Sequence, residues 1–285
     1  MKFPSLISLW FAALIFQSCG KQNAQRGPVE PEVRIVDKGY KTPTTYSGYS
    51  PQWSDEFSAD TIDSTAWSFE IGRGGNGWGN DELQYYTAAN AKVRNGFLVI
   101  TARKESMGGA AYTSSRMITK NKKHFKFARI DIRAKLPSGQ GIWPALWMLG
   151  ANIDTVGWPL CGEIDIMEMV GHEPNKIYGT LHWGSSTGTH RSEGFWTTMP
   201  TGKYSDEFHV YSLLWQEDSI SIMVDDKPYF RFSPADVEPD TYPFNAPYYL
   251  LFNVAVGGTW PGSPDESTVF PQQMVVDYVR VFTKD

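Results

Sequence analysis

The sequence predicts an all-β protein, one sandwich or jelly roll built from many short strands. Three observations predict it. From Trp53 onward, short apolar or alternating runs are broken by Gly, Pro, Asn and Asp, the residues that end strands and make turns. No long segment keeps a 3.6-residue period, which argues against alternating strands and helices. No internal repeat or Ser/Gly linker follows residue 50, so the 285-residue chain reads as one large β domain.

The chain opens with "MKFPSLISLWFAALIFQSCGKQ". Lys2 is a short positive start, and the apolar run from Leu6 to Phe16 is too short to span a bilayer comfortably. The run ends at Ser18-Cys19-Gly20, which resembles a bacterial lipoprotein signal with Cys19 as the lipidated residue. Phe16 and Gln17 depart from its commonest form. The resemblance implies a signal peptide over residues 1–18 and an exported, membrane-anchored protein. Residues 19–48 are polar and Pro-rich and are predicted to be a flexible tether. The folded domain is expected over 49–285.

Within it, "GFLVITARK", "FARIDIRAKL", "GIWPALWML", "GEIDIMEMV", "KIYGTLHW", "YYLLFNVAV" and "QMVVDYVRVF" read as strands. "FARIDIRAKL" puts Ile130, Ile132 and Ala134 on one face and Arg129, Asp131, Arg133 and Lys135 on the other. "SISIMVDDKPYFRF" reads as a hairpin turning at Asp225-Asp226-Lys227. A net charge of −5 argues against a nucleic-acid partner held by phosphate neutralisation. Aromatics make up 14% of the chain, more than a core needs. The excess suits a surface that stacks on sugar rings, although aromatic surfaces also serve protein interfaces. With Cys19 acylated, Cys161 has no disulfide partner and reads as a buried, inert thiol.

"CGEIDIMEMVG" sets three acids in an apolar run. On a strand, Glu163 and Asp165 share a face, but strict alternation sends Glu168 to the other. A β-bulge near Ile166-Met167 would return Glu168 to their face. The two glutamates would then lie about 13 Å apart at Cα. Inward-leaning side chains could bring the carboxyls to about 5–5.5 Å, the separation of a retaining glycosidase pair. Asp165 between them would orient the nucleophile and help hold up the pKa of the acid. A calcium site or a solvated strand face are the other readings of the cluster. Ile and Met between the acids do not suit a calcium loop.

The pattern "E-I-D-x-x-E" with one inserted residue resembles the active-site signature of glycoside hydrolase family 16, in its laminarinase-like and agarase-like branches. "GNGWGNDELQYYT", "YTSSRMIT", "GQGIWPALWMLG", "GTLHWG" and "NVAVGGTWPG" are similar to blocks of laminarinase-type endo-1,3-β-glucanases. The resemblance covers about residues 50–285 and implies a β-jelly-roll sandwich of two curved antiparallel sheets with a concave substrate groove. It implies Glu163 as nucleophile, Glu168 as general acid/base and Asp165 as assisting carboxylate, cleaving β-1,3-glucan internally with retention, with or without mixed-linkage β-1,3-1,4-glucan. It implies substrate contacts from Asn80, Arg116, Trp143, Trp147, His182 and Trp260. Core packing of a tryptophan and a purely structural His182 stand beside these roles. Asp81 stands where many relatives carry Asn. The resemblance also implies a structural calcium near Glu56, Gly96 and Asp277, with no cofactor for catalysis, and the chain is expected to be a monomer. Two competing readings are an agarase- or porphyranase-like galactan hydrolase and a non-catalytic glycan-capture lipoprotein.

Overall fold

In the computed structural model of the protein, which describes residues 35–285, the alternating runs form two large antiparallel sheets. The first is ordered β15 (Lys227–Phe232), β14 (Ser219–Val224), β13 (His209–Gln216), β8 (Ala128–Lys135), β17 (Gln272–Lys284), β5 (Phe97–Ala102) and β4 (Ala91–Arg94). Its eighth strand, β1 (Tyr49–Asp55), pairs with the C-terminal half of β17. The second sheet is ordered β12 (Arg191–Thr198), β11 (Lys176–Trp183), β10 (Glu163–Glu168), β9 (Ile142–Gly150), β16 (Tyr248–Val256), β7 (Arg116–Ile118) and β2 (Ser68–Glu70). A short parallel pair, β3 (Gln84–Tyr86) and β6 (Tyr112–Ser114), stands apart.

The sheets bury their facing sides against each other, as a sandwich must. Leu146, Met148, Ile164, Ile177, Leu181 and Phe252 from the second sheet share one core with Ile130, Ile132, Leu213, Ile222, Val276 and Val279 from the first. The expected hairpin is present. Asp225 and Asp226 take left-handed φ of 50° and 59°, the twist that joins β14 to β15 in a two-residue turn. α1 (Ile153–Val156) is a single turn.

The alternation in β8 holds, but the middle of its polar row does not face water. Asp131 and Arg133 are fully buried. The cover is the segment just before β1. Arg133 donates to the Tyr40 carbonyl (2.6 Å) and to Asp37 (2.7 Å), and the Tyr46 hydroxyl donates to Asp131 (2.7 Å). The Thr42 amide donates to the Tyr278 hydroxyl (2.9 Å), and Gly39 bridges to Phe208. The packed unit therefore begins at Val36, not at residue 49. The expected tether is shorter at its C-terminal end by the stretch 36–48, because two buried charges need it as a lid. The rest of the expected tether up to residue 34, with Cys19 and the signal segment, lies outside the described residues.

A chain starting at residue 49 should be less stable than one starting at 36 by about 3 kcal/mol, the scale of breaking buried ion pairs. Urea unfolding of the two chains measures it. Equal midpoints would show that the segment contributes nothing.

Candidate active site

β10 carries the acids, and its register shows how they share a face. Pairing with β9 is regular at Glu163–Leu149, Ile164–Met148 and Asp165–Trp147, then slips before Met167–Leu146 and Glu168–Ala145. Pairing with β11 slips in the same place, between Asp165–Thr180 and Glu168–Tyr178. One extra residue is accommodated at Ile166-Met167. Both of those side chains, with Ile164, are buried in the core, while Glu163 and Glu168 stay half-buried on the opposite face.

Each glutamate is held by one indole. Trp158 Nε1 donates to Glu163 Oε2 (2.9 Å), and Trp143 Nε1 donates to Glu168 Oε1 (3.0 Å). Asp165, between them, lies 3.1 Å from His182 Nε2, and Glu163 Oε1 lies 4.0 Å from the same nitrogen. His182 stands opposite Glu163 on β11. Its other ring nitrogen, Nδ1, meets His190 Nε2 at 2.8 Å, and the His190 ring packs on Trp158 with centroids 4.6 Å apart. Glu163, Trp158, His190, His182 and Asp165 thus form a chain of contacts that starts and ends on β10.

The electrostatics follow from burial. Desolvation, then the Asp165 charge, pushes the Glu163 carboxyl above its ordinary value, against the opposing pull of His182 and the Trp158 N–H. The same two causes push Glu168 well above it, and the Glu163 charge adds to them. Burial alone would lower His182, but Asp165, then Glu163 and Glu168, outweigh it and raise the ring to about 9. His182 is therefore an imidazolium near neutrality. Burial and that neighbouring charge hold His190 below its ordinary value, which suits a neutral ring accepting the Nδ1 proton. Burial, then the Glu163 charge, raises Cys161 to about 12, so the thiol stays protonated.

The structure brings most of the other expected residues to this face. Trp143 and Trp147 are both half-buried on the acid side of β9. Trp147 donates to Asn253 Oδ1 (2.7 Å) on β16. Arg116 does not project freely. Its guanidinium sits between the rings of Trp78 (4.7 Å) and Trp147 (4.8 Å) and pairs with Glu70 at 2.5 Å. Asn80 Nδ2 donates to Glu82 Oε1 (3.2 Å). Buried Glu82 also accepts from Gln84 and Tyr86, and Tyr86 in turn accepts from Asn253, so one polar network links Asn80 to Trp147. Asp81 is exposed, with a left-handed φ of 57°. Trp260 packs edge-on against Trp143 (5.4 Å) and Tyr178 (4.9 Å). A Cβ on Gly258 would meet the Asn80 carbonyl at 3.1 Å and the Trp143 ring at 3.4 Å, and its φ is 124°. Glycine there lets the Trp260 loop close on Asn80 and Trp143.

Glu56, Gly96 and Asp277 lie away from the acids, on the other sheet. β17 pairs with β5 up to Val276–Leu98 and with β1 from Val279–Asp55, leaving Asp277 in the gap between them. Gly96 turns the chain into β5 and Glu56 follows β1, so the three converge there. Both Glu56 carboxylate oxygens, however, accept from Arg280 (2.8 Å each), and Asp277 Oδ2 accepts from Arg133 (2.7 Å). The Glu56 side chain is thus engaged, and the donors left for a cation are Asp277 Oδ1 and main-chain carbonyls. The described carboxylate and imidazole groups that could share an ion are instead Glu163, Asp165 and His182. A protonated His182 would not ligate one.

Trp158, His190, Glu82 and Asn253 were not singled out from the sequence. Trp158 lies only five residues before Glu163, so its place in "GWPLCGE" was the one available signal.

Residues 79–280 match the family model for glycosyl hydrolases family 16. The chain is 45% identical over 246 residues to a beta-glucanase of Rhodothermus marinus, covering 81% of this chain and 84% of that protein. It is 37% identical over 251 residues to a glucan endo-1,3-beta-glucosidase of Cryptopygus antarcticus, covering 81% and 91%. The solved laminarinase catalytic domain from Thermotoga maritima MSB8 superposes with a TM-score of 0.78 at 48% identity, covering 83% of this chain and 99% of that one.

Proposed function

The chain belongs to family 16 of the glycosyl hydrolases, and we propose that it cleaves β-1,3-glucan within the chain, with retention of anomeric configuration. One observation carries the reading: the bulge at Ile166-Met167 sets Glu163 and Glu168 on one face, each with a single indole donor. Two carboxyls flanking a glycosidic bond are the equipment of this reaction.

Glu163 is the nucleophile. Trp158 holds its Oε2, leaving Oε1 to form the bond to the anomeric carbon. The imidazolium of His182 favours the charged form of Glu163 and is itself held by Asp165. Glu168 is the general acid. Burial and the neighbouring carboxylates keep it protonated. Trp143 occupies Oε1, so Oε2 carries the proton delivered to the leaving oxygen. Once Glu163 is esterified its charge is gone, the pKa of Glu168 falls, and Glu168 takes a proton from the attacking water. Trp147, locked by Asn253 and Arg116, offers a fixed ring for a sugar face beside the cleaved bond. Asn80 and Trp260 lie along the same face.

Reducing-sugar release from laminarin, lichenan, cellulose and agarose measures the substrate. Laminarin is expected to be cleaved fastest, with β-anomers first in the proton NMR spectrum, and Glu163→Gln to lose about a thousandfold or more in kcat. Cleavage of lichenan at a comparable rate would extend the reading to mixed linkage. Cleavage of agarose alone would turn it into a galactan hydrolase. Retained binding with no cleavage of any would leave a capture protein.

Two further proposals concern the rest of the chain. We propose a structural calcium in the β17 gap, held by Asp277 Oδ1 with carbonyls of Glu56 and Gly96; the convergence of the three supports it. Chelation should then lower the melting temperature and calcium restore it; an unmoved Tm discards the site. We also propose that the chain is exported and anchored through a lipid on Cys19, on the signal-like segment ending there. The full chain should sediment with membranes and Cys19→Ala should not; identical partition of the two would sink the anchor.

A further inference from the structure

The sheet that carries the acids ends in an edge strand, β12, that is exposed along most of its length. That edge bears two large rings. Phe195 is 54% and Trp196 49% exposed, and their planes lie within 4° of parallel with centroids 5.9 Å apart. Flat apolar edges are a liability that proteins usually guard with charge or twist. Here Trp196 belongs to a line that begins at the acids, while Phe195, paired with Gly179, leaves the strand on the other side.

Cross-strand partners point to the same side of a sheet. Glu168 pairs with Tyr178, and Tyr178 pairs with Trp196, so all three share the groove face. The ring contacts are continuous. Trp143, whose N–H holds Glu168, meets Trp260, and Trp260 meets Tyr178 (4.9 Å). Lys176 Nζ then bridges Tyr178 (4.8 Å) and Trp196 (4.9 Å). Beside this line runs the row Asp165–Thr180–Gly194. Its outer end must be glycine, since a Cβ there would meet the Gly179 carbonyl and Thr180 Oγ1 at 2.8 Å each. Trp196 lies two strand spacings beyond Glu168, about 10 Å, a reach of roughly two sugar residues.

We propose that Trp196, flanked by Tyr178 and Lys176, is an outer glycan-binding subsite. It takes the part of the polysaccharide that leaves the cleavage point on the side away from Asn80 and Arg116. The ligand is a neutral β-linked glucan chain. A pyranose lays its C–H face on the indole and its hydroxyls accept from Lys176, whose charge is offset by Glu173 at 3.5 Å. That offset favours hydroxyls over a sulfate or uronate. The proposal rests on the hydrolase reading above and extends it to chain length: long substrates gain a contact that short ones cannot reach.

The test is the ratio of kcat/KM on laminarin to that on a β-1,3-linked glucose trisaccharide, in the wild-type chain, Trp196→Ala and Trp196→Tyr. The ratio should fall about tenfold in Trp196→Ala, carried by KM on laminarin, and recover most of that loss in Trp196→Tyr. Melting temperatures and sedimentation of all three check folding and assembly. A ratio within twofold of wild type in an active, folded Trp196→Ala overturns the subsite and leaves the hydrolase reading standing. A change of oligomeric state with an unchanged ratio overturns it in favour of a protein interface. No cleavage of laminarin by the wild-type chain overturns both.

Discussion

The site depends on one inserted residue. In a regular strand, Glu168 would point into the core and Met167 into the groove. The slip at Ile166-Met167 exchanges them. Two apolar side chains then enter the core from adjacent positions, each contributing about 1.5–3 kcal/mol of burial, and a carboxyl is spared desolvation in hydrocarbon. The same exchange fixes how far Glu168 stands from Glu163 along β10. Core packing and the placing of the acid are one constraint, so a change to Met167 would act on both.

Three carboxyls in a half-dry groove would repel one another if nothing intervened. The structure separates their roles by giving them different partners. Asp165 has the imidazolium of His182, Glu163 an indole N–H and a more distant share of that same cation, and Glu168 an indole N–H. One positive charge does not balance three acids, and Glu168, raised by burial and then by the charges of Asp165 and Glu163, is the acid pushed toward its protonated form. His190 belongs to this arrangement because a His182 ring charged on Nε2 must also find an acceptor for Nδ1.

What was legible in the sequence was what local pattern dictates. Alternation in "FARIDIRAKL" marks β8, paired aspartates mark the β14–β15 turn, and the spacing of Glu163, Asp165 and Glu168 demands a bulge. What was not legible depends on contacts distant in sequence. His190 reaches His182 only because a loop returns to the sheet, and Glu82 is buried only because Gln84, Tyr86 and Asn80 close over it. The segment 36–48 looks like linker by composition, since Pro, Thr, Ser and Tyr dominate it. Its role appears when Arg133, 93 residues from Tyr40, needs that carbonyl.

The two outer faces of the sandwich differ in what they leave open to a ligand. Both carry ionisable rows where a β face would ordinarily meet water. On the first sheet, Asp131 receives donors from Tyr46, Arg129 and Ser212, and Arg133 is taken by Asp37, Asp277 and the Tyr40 carbonyl. That row is closed by the chain itself and has little left to offer a ligand. On the second sheet the glutamates receive one hydrogen-bond donor each from indoles that also wall the groove. Each keeps an oxygen without such a donor, and the surrounding rings present flat faces. A carboxyl pair left incompletely satisfied in a groove lined with aromatics is poised for a partner that brings hydroxyls and apolar C–H faces together, and a sugar chain brings both. The segment that would have sealed such a face lies on the other sheet.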